Sequence, residues 1–234
     1  MLFRSADYGL SFDALPGGAV RLSSRALVLP AEVDRAAAEV LGPVGGVPTL
    51  AFLANALVVP EGDGRPAAEV PYSTLLGIDT TVLPVGALVG VDGSALAVPP
   101  DDGIVIDAWM ADDLAAQGHP VAVGDTLEIR LFRPETLHGR VEEQVVPLVI
   151  AGIARMEGAA VVPGLVPEVE GITDERSIAD WDPPFPFERG RVRTVPPHDE
   201  DDRYWKAHGA TPKAFVSLAC ARRVAAGRFG ATTA

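Results

Sequence analysis

Cysteine, lysine and long apolar runs are all scarce in this sequence, and each scarcity narrows the class of protein. Cys220 is the only cysteine, so neither an internal disulfide nor a cysteine-based metal cluster is available. An oxidising compartment stays open, because a chain of 234 residues needs no disulfide to hold a core. The longest apolar run, "VVPLVIAGIA", is about ten residues with Pro147 inside it, against the roughly 20 that a membrane-spanning helix needs. Basic residues number 19 against 32 acidic ones, a net charge of -13, which argues against a nucleic-acid partner. The charge reads as solubility rather than as an acidic binding surface. "MLFRS" is not followed by an apolar stretch of the signal-peptide kind. It resembles translated linker sequence, and the natural start is expected further upstream.

What is present is ordinary globular material, with 48% hydrophobic residues. "AVRLSSRALVLP" has strand character. "AEVDRAAAEVLG" predicts a short helix between Pro30 and Gly42, with Val33, Ala37, Val40 and Leu41 on one face. "VPTLAFLANALVV" and "AEVPYSTLLGID" predict two strands around the turn "PEGDGRP", giving β-α-β-β for the first third. "GIVIDAWMADDLAAQG" starts as a strand and becomes a helix, with Asp107 as N-cap and Trp109, Met110 and Leu114 as apolar face. In "VGDTLEIRLF", Leu127, Ile129 and Leu131 alternate with Glu128 and Arg130. A turn at "PETLHGR" leads to the hairpin partner "VEEQVVPLVIAGIARM", where Pro147 places a bulge or an edge. Residues 157–210 are rich in Pro, Gly and acids, and read as a long excursion with helix only near "DERSIADW". "TPKAFVSLACARRVAAGRF" restores a strand and a helix, with Val224 and Phe229 on the helix's apolar side.

The chain carries no Gly-x-Ser-x-Gly elbow, no phosphate loop and no dinucleotide fingerprint. "GPVGG" reads as a turn. His119 and His138 sit beside glycine or proline, as surface-loop residues do. "HDEDDRYWKAH" (His198–His208) offers carboxylates and imidazoles but lacks the spacing of an EF-hand or a His-x-x-x-His pair, and reads as a solvated acidic loop. No catalytic residue, metal or cofactor is assigned. Trp181, Phe185, Tyr204 and Trp205 are the candidate surface for a partner or substrate. The competing expectation is that they pin the excursion to the domain, with Trp181 and Phe185 as anchors.

Four stretches in this order carry a resemblance: "GIVIDAWMADDLAAQGHPVAVGDTLEI", "PLVIAGIARMEGAA", "GITDERSIADWDPPFPFE" and "DEDDRYWKAHGATPKAFVSLA". Together they resemble the extracytoplasmic domain of FtsX-like, MacB-like permeases of bacterial ABC transporters, over most of residues 47–230. The resemblance implies a non-enzymatic periplasmic domain on the outer face of the inner membrane. Its partners would be the membrane helices of its own permease, a cytoplasmic ABC ATPase, and a periplasmic substrate or protein. It further implies an α+β fold in two subdomains. One is discontinuous, of β-α-β type, from the chain ends (10–82 and 211–234); the other is inserted, β-rich, with one or two helices (83–210). A second reading stays open: a free-standing secreted carbohydrate-binding protein or hydrolase using the aromatic and acidic segment 180–205. At the C-terminal end, "ATTA" is too short for the strand that the helix would return to the sheet, so an unpaired edge is expected there.

Overall fold

The computed structural model describes residues 8–62, 64–133 and 142–234. The architecture is mixed α+β. It opens with an antiparallel hairpin of β1 (Leu10–Ala14) and β2 (Val20–Ser24), followed by α1 (Ala31–Leu41). A second hairpin joins β3 (Leu50–Val59) to β4 (Ala68–Ile78), paired from Leu50 opposite Gly77 to Val59 opposite Ala68. Two-residue strands β5 (Val82–Leu83) and β6 (Gly86–Ala87) lead to β7 (Gly103–Asp107) and α2 (Ala108–Ala116). The antiparallel pair β8 (Thr126–Phe132) and β9 (Glu143–Ala154) follows; the turn expected at "PETLHGR" lies outside the described residues. The chain then runs through single 3-10 turns to α3 (Glu200–His208), β10 (Ala214–Ser217) and α4 (Leu218–Ala225).

Six of these strands close into a barrel in the order β10-β4-β3-β8-β9-β7. The closing piece is β10, parallel to β4 on one side and antiparallel to β7 on the other. Alternate residues face two separate cores. Leu75, Ile104, Ile106, Ala214 and Val216 join one cluster with Leu127, Ile129, Leu148, Met110 and Val224. Leu76, Val105 and Phe215, their neighbours in sequence, join the other with Ile78, Leu83, Leu88 and Leu165. The expected alternation in β8 holds, and so does the apolar face of α2 through Met110 and Leu114. β7 and β10 share a construction: the last residue of the strand caps the helix that follows. Met110 N donates to Asp107 Oδ1 at 2.7 Å and Cys220 N donates to Ser217 Oγ at 2.9 Å.

Several expectations are corrected. Helix α1 spans the anticipated residues, but none of them is buried and Val40 is 69% exposed, because the helix faces a recess instead of a core. Phe229 lies beyond α4, exposed, with the Arg228 guanidinium 4.7 Å from its ring centroid. His119 is buried where the chain leaves α2, its N–H bonded to Leu114 O. Of the bulge or edge expected at Pro147, the edge is found, since β9 is paired there with β8 alone; the irregularity in the β7–β9 register falls later, opposite Ile104 and Val105. No open edge is left at β10, which has a neighbour on each side. The final residues are also paired: Thr233 N donates to Thr49 O, Thr49 N to Ala234 O, and Leu29 N to Thr232 O, each at 2.8 Å. The barrel draws β3, β4 and β10 from residues 10–82 and 211–234, and β7, β8 and β9 from 83–210, so its hydrogen bonding crosses that boundary.

Helix α4 lies directly on β4 at Gly77, where an added Cβ would sit 2.3 Å from the Ala221 Cβ. Gly77→Ala should therefore cost about 1–3 kcal/mol through overpacking. The midpoint of urea unfolding measures it, and an unchanged midpoint would show that this contact is slack.

Candidate functional site

The excursion of residues 157–210 is fixed to the barrel over a buried network of rings and charges. Its last element is α3, which covers most of "HDEDDRYWKAH" and replaces the acidic loop expected there. The acids of that segment face inward and are paired. Asp201 accepts from Arg193 N at 2.9 Å, Nε at 3.0 Å and a terminal nitrogen at 2.6 Å. Arg193 reaches on to Asp113 of α2 with both terminal nitrogens, at 2.8 and 2.9 Å. Burial disfavours this cation, but its bonds to Asp201 and Asp113 outweigh that and hold its pKa above the ordinary arginine value. Asp202 is bonded by Ser177 Oγ and by Lys206 Nζ at 2.6 Å. A further fork joins Arg191 to Glu69 of β4, at 2.8 and 3.1 Å.

Beneath these pairs lies Lys213, 4% exposed, at the entry to β10. Its ammonium is 4.7 Å from the ring centroid of Trp109 and 4.6 Å from that of Tyr204, a double cation–π contact. The Tyr204 hydroxyl donates to Asp107 Oδ2 at 3.3 Å and shares a 2.8 Å hydrogen bond with Thr211 Oγ1. Burial is the first cause of the shifts here. It pushes Asp107 up to about 7 against the N–H of Met110 and the charge of Lys213, and pushes Lys213 down against the nearby carboxylates. Burial also raises Tyr204 well above the usual tyrosine value. A buried lysine beside an acid is the raw material of a base or nucleophile. However, none of the three recesses described in the molecule is lined by Lys213, Asp107 or Tyr204. The network's visible work is attachment.

Of the four aromatic residues singled out in the sequence, Trp181, Tyr204 and Trp205 are buried and Phe185 is half-buried. That burial fits the expectation that they pin the excursion. Trp181, Trp205, Phe185 and Phe187 form one cluster with Ile172, Ile178 and Val192. Trp181 meets Trp205 edge-on at 4.8 Å, and Trp205 Nε1 donates to Glu175 O at 2.9 Å. Tyr204 belongs instead to the Lys213 site.

Sequence reasoning missed Tyr72. This β4 residue has a left-handed backbone, φ 41°, which is costly for a side chain of its size. Its ring packs on Phe187 at 4.6 Å, and its hydroxyl accepts from Glu188 N at 2.7 Å. The signal was an aromatic directly after Pro71 in mid-strand, where proline already interrupts the ladder. Arg193 and Lys213 were also passed over, because nothing in their local sequence marks them as buried.

Two of the three recesses have the larger linings. One, of about 1,290 Å³, separates the β1–β2 hairpin from the excursion and is lined by Asp13, Arg21, Glu168, Asp174 and Asp182 among others. The other, of about 500 Å³, lies under α1. Among the described residues no group of three or more His, Cys, Asp or Glu is placed to hold a metal ion. The sequence matches no protein-family model, and no curated protein is significantly similar to it.

Trp181→Ala should cost about 3–5 kcal/mol, the range for deleting a buried large aromatic. Its Nε1 has no acceptor among the described residues, so Trp181→Phe should cost much less. Equal losses for the two, by denaturant unfolding, would contradict this reading. Asp107 yields a pH prediction. Its folded pKa of about 7 exceeds the ordinary value of 3.8, so the folded state holds a proton that the unfolded chain has already lost. Its contribution is greatest below pH 3.8 and declines as pH rises towards 7. Asp107→Asn keeps the cap without the ionisation. The stability difference should tilt towards the variant between those two values; a constant difference refutes it.

Proposed function

We propose that this chain is the extracytoplasmic domain of an FtsX-like, MacB-like ABC-transporter permease, coupling cytoplasmic ATP hydrolysis to motion outside the membrane and to recognition of a periplasmic substrate or protein. One observation supports the reading best. Three of the four stretches that carry the resemblance converge on the same buried network: Asp107, Trp109 and Asp113 from the first, Trp181 and Ser177 from the third, and Asp201, Tyr204 and Lys213 from the last. The second supplies much of β9 and the start of the excursion. A domain that transmits movement must hold its own parts rigidly together, and charge-assisted ties do that with fixed geometry. Among the described residues no helix is long and apolar enough to cross a membrane.

On this reading residues 10–82 and 211–234 form one subdomain and 83–210 the inserted one, with the barrel shared between them. The contacts of Thr232–Ala234 with Leu29 and Thr49 support the meeting of the two chain ends. The secreted carbohydrate-binding or hydrolase reading needs exposed rings in residues 180–205, and Trp181, Tyr204 and Trp205 are buried.

Removing residues 47–230 from the parent permease, with a short flexible linker in their place, should abolish transport while membrane insertion persists. Transport and ATP hydrolysis at the native rate in that variant would overturn the proposal.

A further inference from the structure

The recess under α1 has the build of a ligand site, and this rests on the recess alone, independently of the permease reading. Its volume of about 500 Å³ falls within the roughly 300–1,000 Å³ of small-molecule pockets. Its walls come from separate parts of the chain: the β1–β2 hairpin, α1, the segment into β3, the β5–β6 turn and Leu165. The lining is aliphatic, with no aromatic ring, and includes Leu22, Leu29, Leu41, Val47 and Leu83. The space exists because α1 turns small or polar residues towards it, Asp34, Ala37 and Ala38, where a core helix would carry leucine. An apolar concavity of this size is unfavourable to leave against water.

Charge decides what fits. Only two charged side chains line the recess, Arg21 and Asp34. Arg21 is committed elsewhere: its terminal nitrogens bond Gly164 O at 2.7 Å, Val166 O at 2.6 Å and Asp13 at 3.0 Å. Asp34 is half-buried, and its carboxylate makes no hydrogen bond or ion pair among the described residues. The pocket therefore presents hydrocarbon walls and one negatively charged side chain without a partner; the other carboxylate on its lining, that of Ala234, already accepts from Thr49 N at 2.8 Å. We propose that it binds an aliphatic amine, with the hydrocarbon tail among the leucines and valines and the ammonium group on Asp34. A fatty acid would set two carboxylates against each other, and a neutral chain would leave Asp34 unpaired.

The test is calorimetric titration of the whole 234-residue protein with decylamine, decanoate and decanol below their micelle concentrations. Decylamine should bind at least about tenfold more tightly than decanoate. Each methylene added to a shorter amine should raise affinity about fourfold until the pocket is full. Asp34→Asn should abolish the preference for amine over decanol, whereas Glu32→Gln and Glu39→Gln, on the same helix but outside the lining, should leave it intact. Ala38→Phe should fill the space and remove binding of all three; Ala37→Leu serves in its place if the first variant melts early. Absence of binding by any probe overturns the proposal, as does a preference that survives Asp34→Asn. Equal loss in Glu32→Gln would mark attraction to the acidic surface in general and overturn it too. A concentration-dependent dimer abolished by Ala38→Phe, with no amine binding, would assign the recess to a second copy of the chain instead.

Discussion

Four residues, Ala214–Ser217, hold the fold together. They form the strand that joins β4 to β7, and every one of them is buried, with Ala214 and Val216 in one core and Phe215 in the other. Lys213, one residue earlier, already starts the closure: its N–H bonds Thr74 O and its carbonyl accepts from Asp107 N, both at 2.9 Å. The same residue sends its side chain between Trp109 and Tyr204. Closure of the ring and attachment of the excursion thus meet at one position. Ser217 ends the strand and caps α4, so the helix that covers Gly77 inherits its placement from β10 as well.

The excursion illustrates how a proline-rich segment is ordered without a sheet. Its backbone has few ladder bonds to offer, so side chains supply the fixing: the rings around Trp181 give area, and Arg191 and Arg193 give direction by reaching Glu69 and Asp113. Paired charges in a partly dry setting contribute little net stability against an apolar substitute, because removing them from water is costly. Their geometry, however, admits few alternatives. The result is a long irregular segment with one docking position.

Local pattern was legible where one face decides. β8 alternates because one side of it meets the core, and α2 announces its start because Asp107 is a capping type ahead of apolar spacing. The α+β class followed from such elements. Closure of the barrel was not legible, since β10 finds β4 and β7 through contacts remote in sequence. Helix α3 was hidden by its own acids: Asp201 and Asp202 are buried only because Arg193, Ser177 and Lys206 answer them, and a charged run looks solvated until its partners are known. α1 misled in the opposite sense: of its apolar face only Ala37 and Leu41 line the recess, and Val40 is exposed. The aromatic segment was read as either surface or anchor, and the burial of Trp181 favours the anchor.

The position of β10 also dictates the order in which this chain can become a protein. Ala214 pairs with Leu75, 139 residues earlier, so the ring stays open until that stretch has been made. During that interval β4 and β7 each expose an unsatisfied edge, hydrophobic on both sides, to whatever else is in reach. Any factor that binds extended polypeptide therefore has a bounded task at these two edges: to occupy them until Ser217 has emerged and β10 covers both.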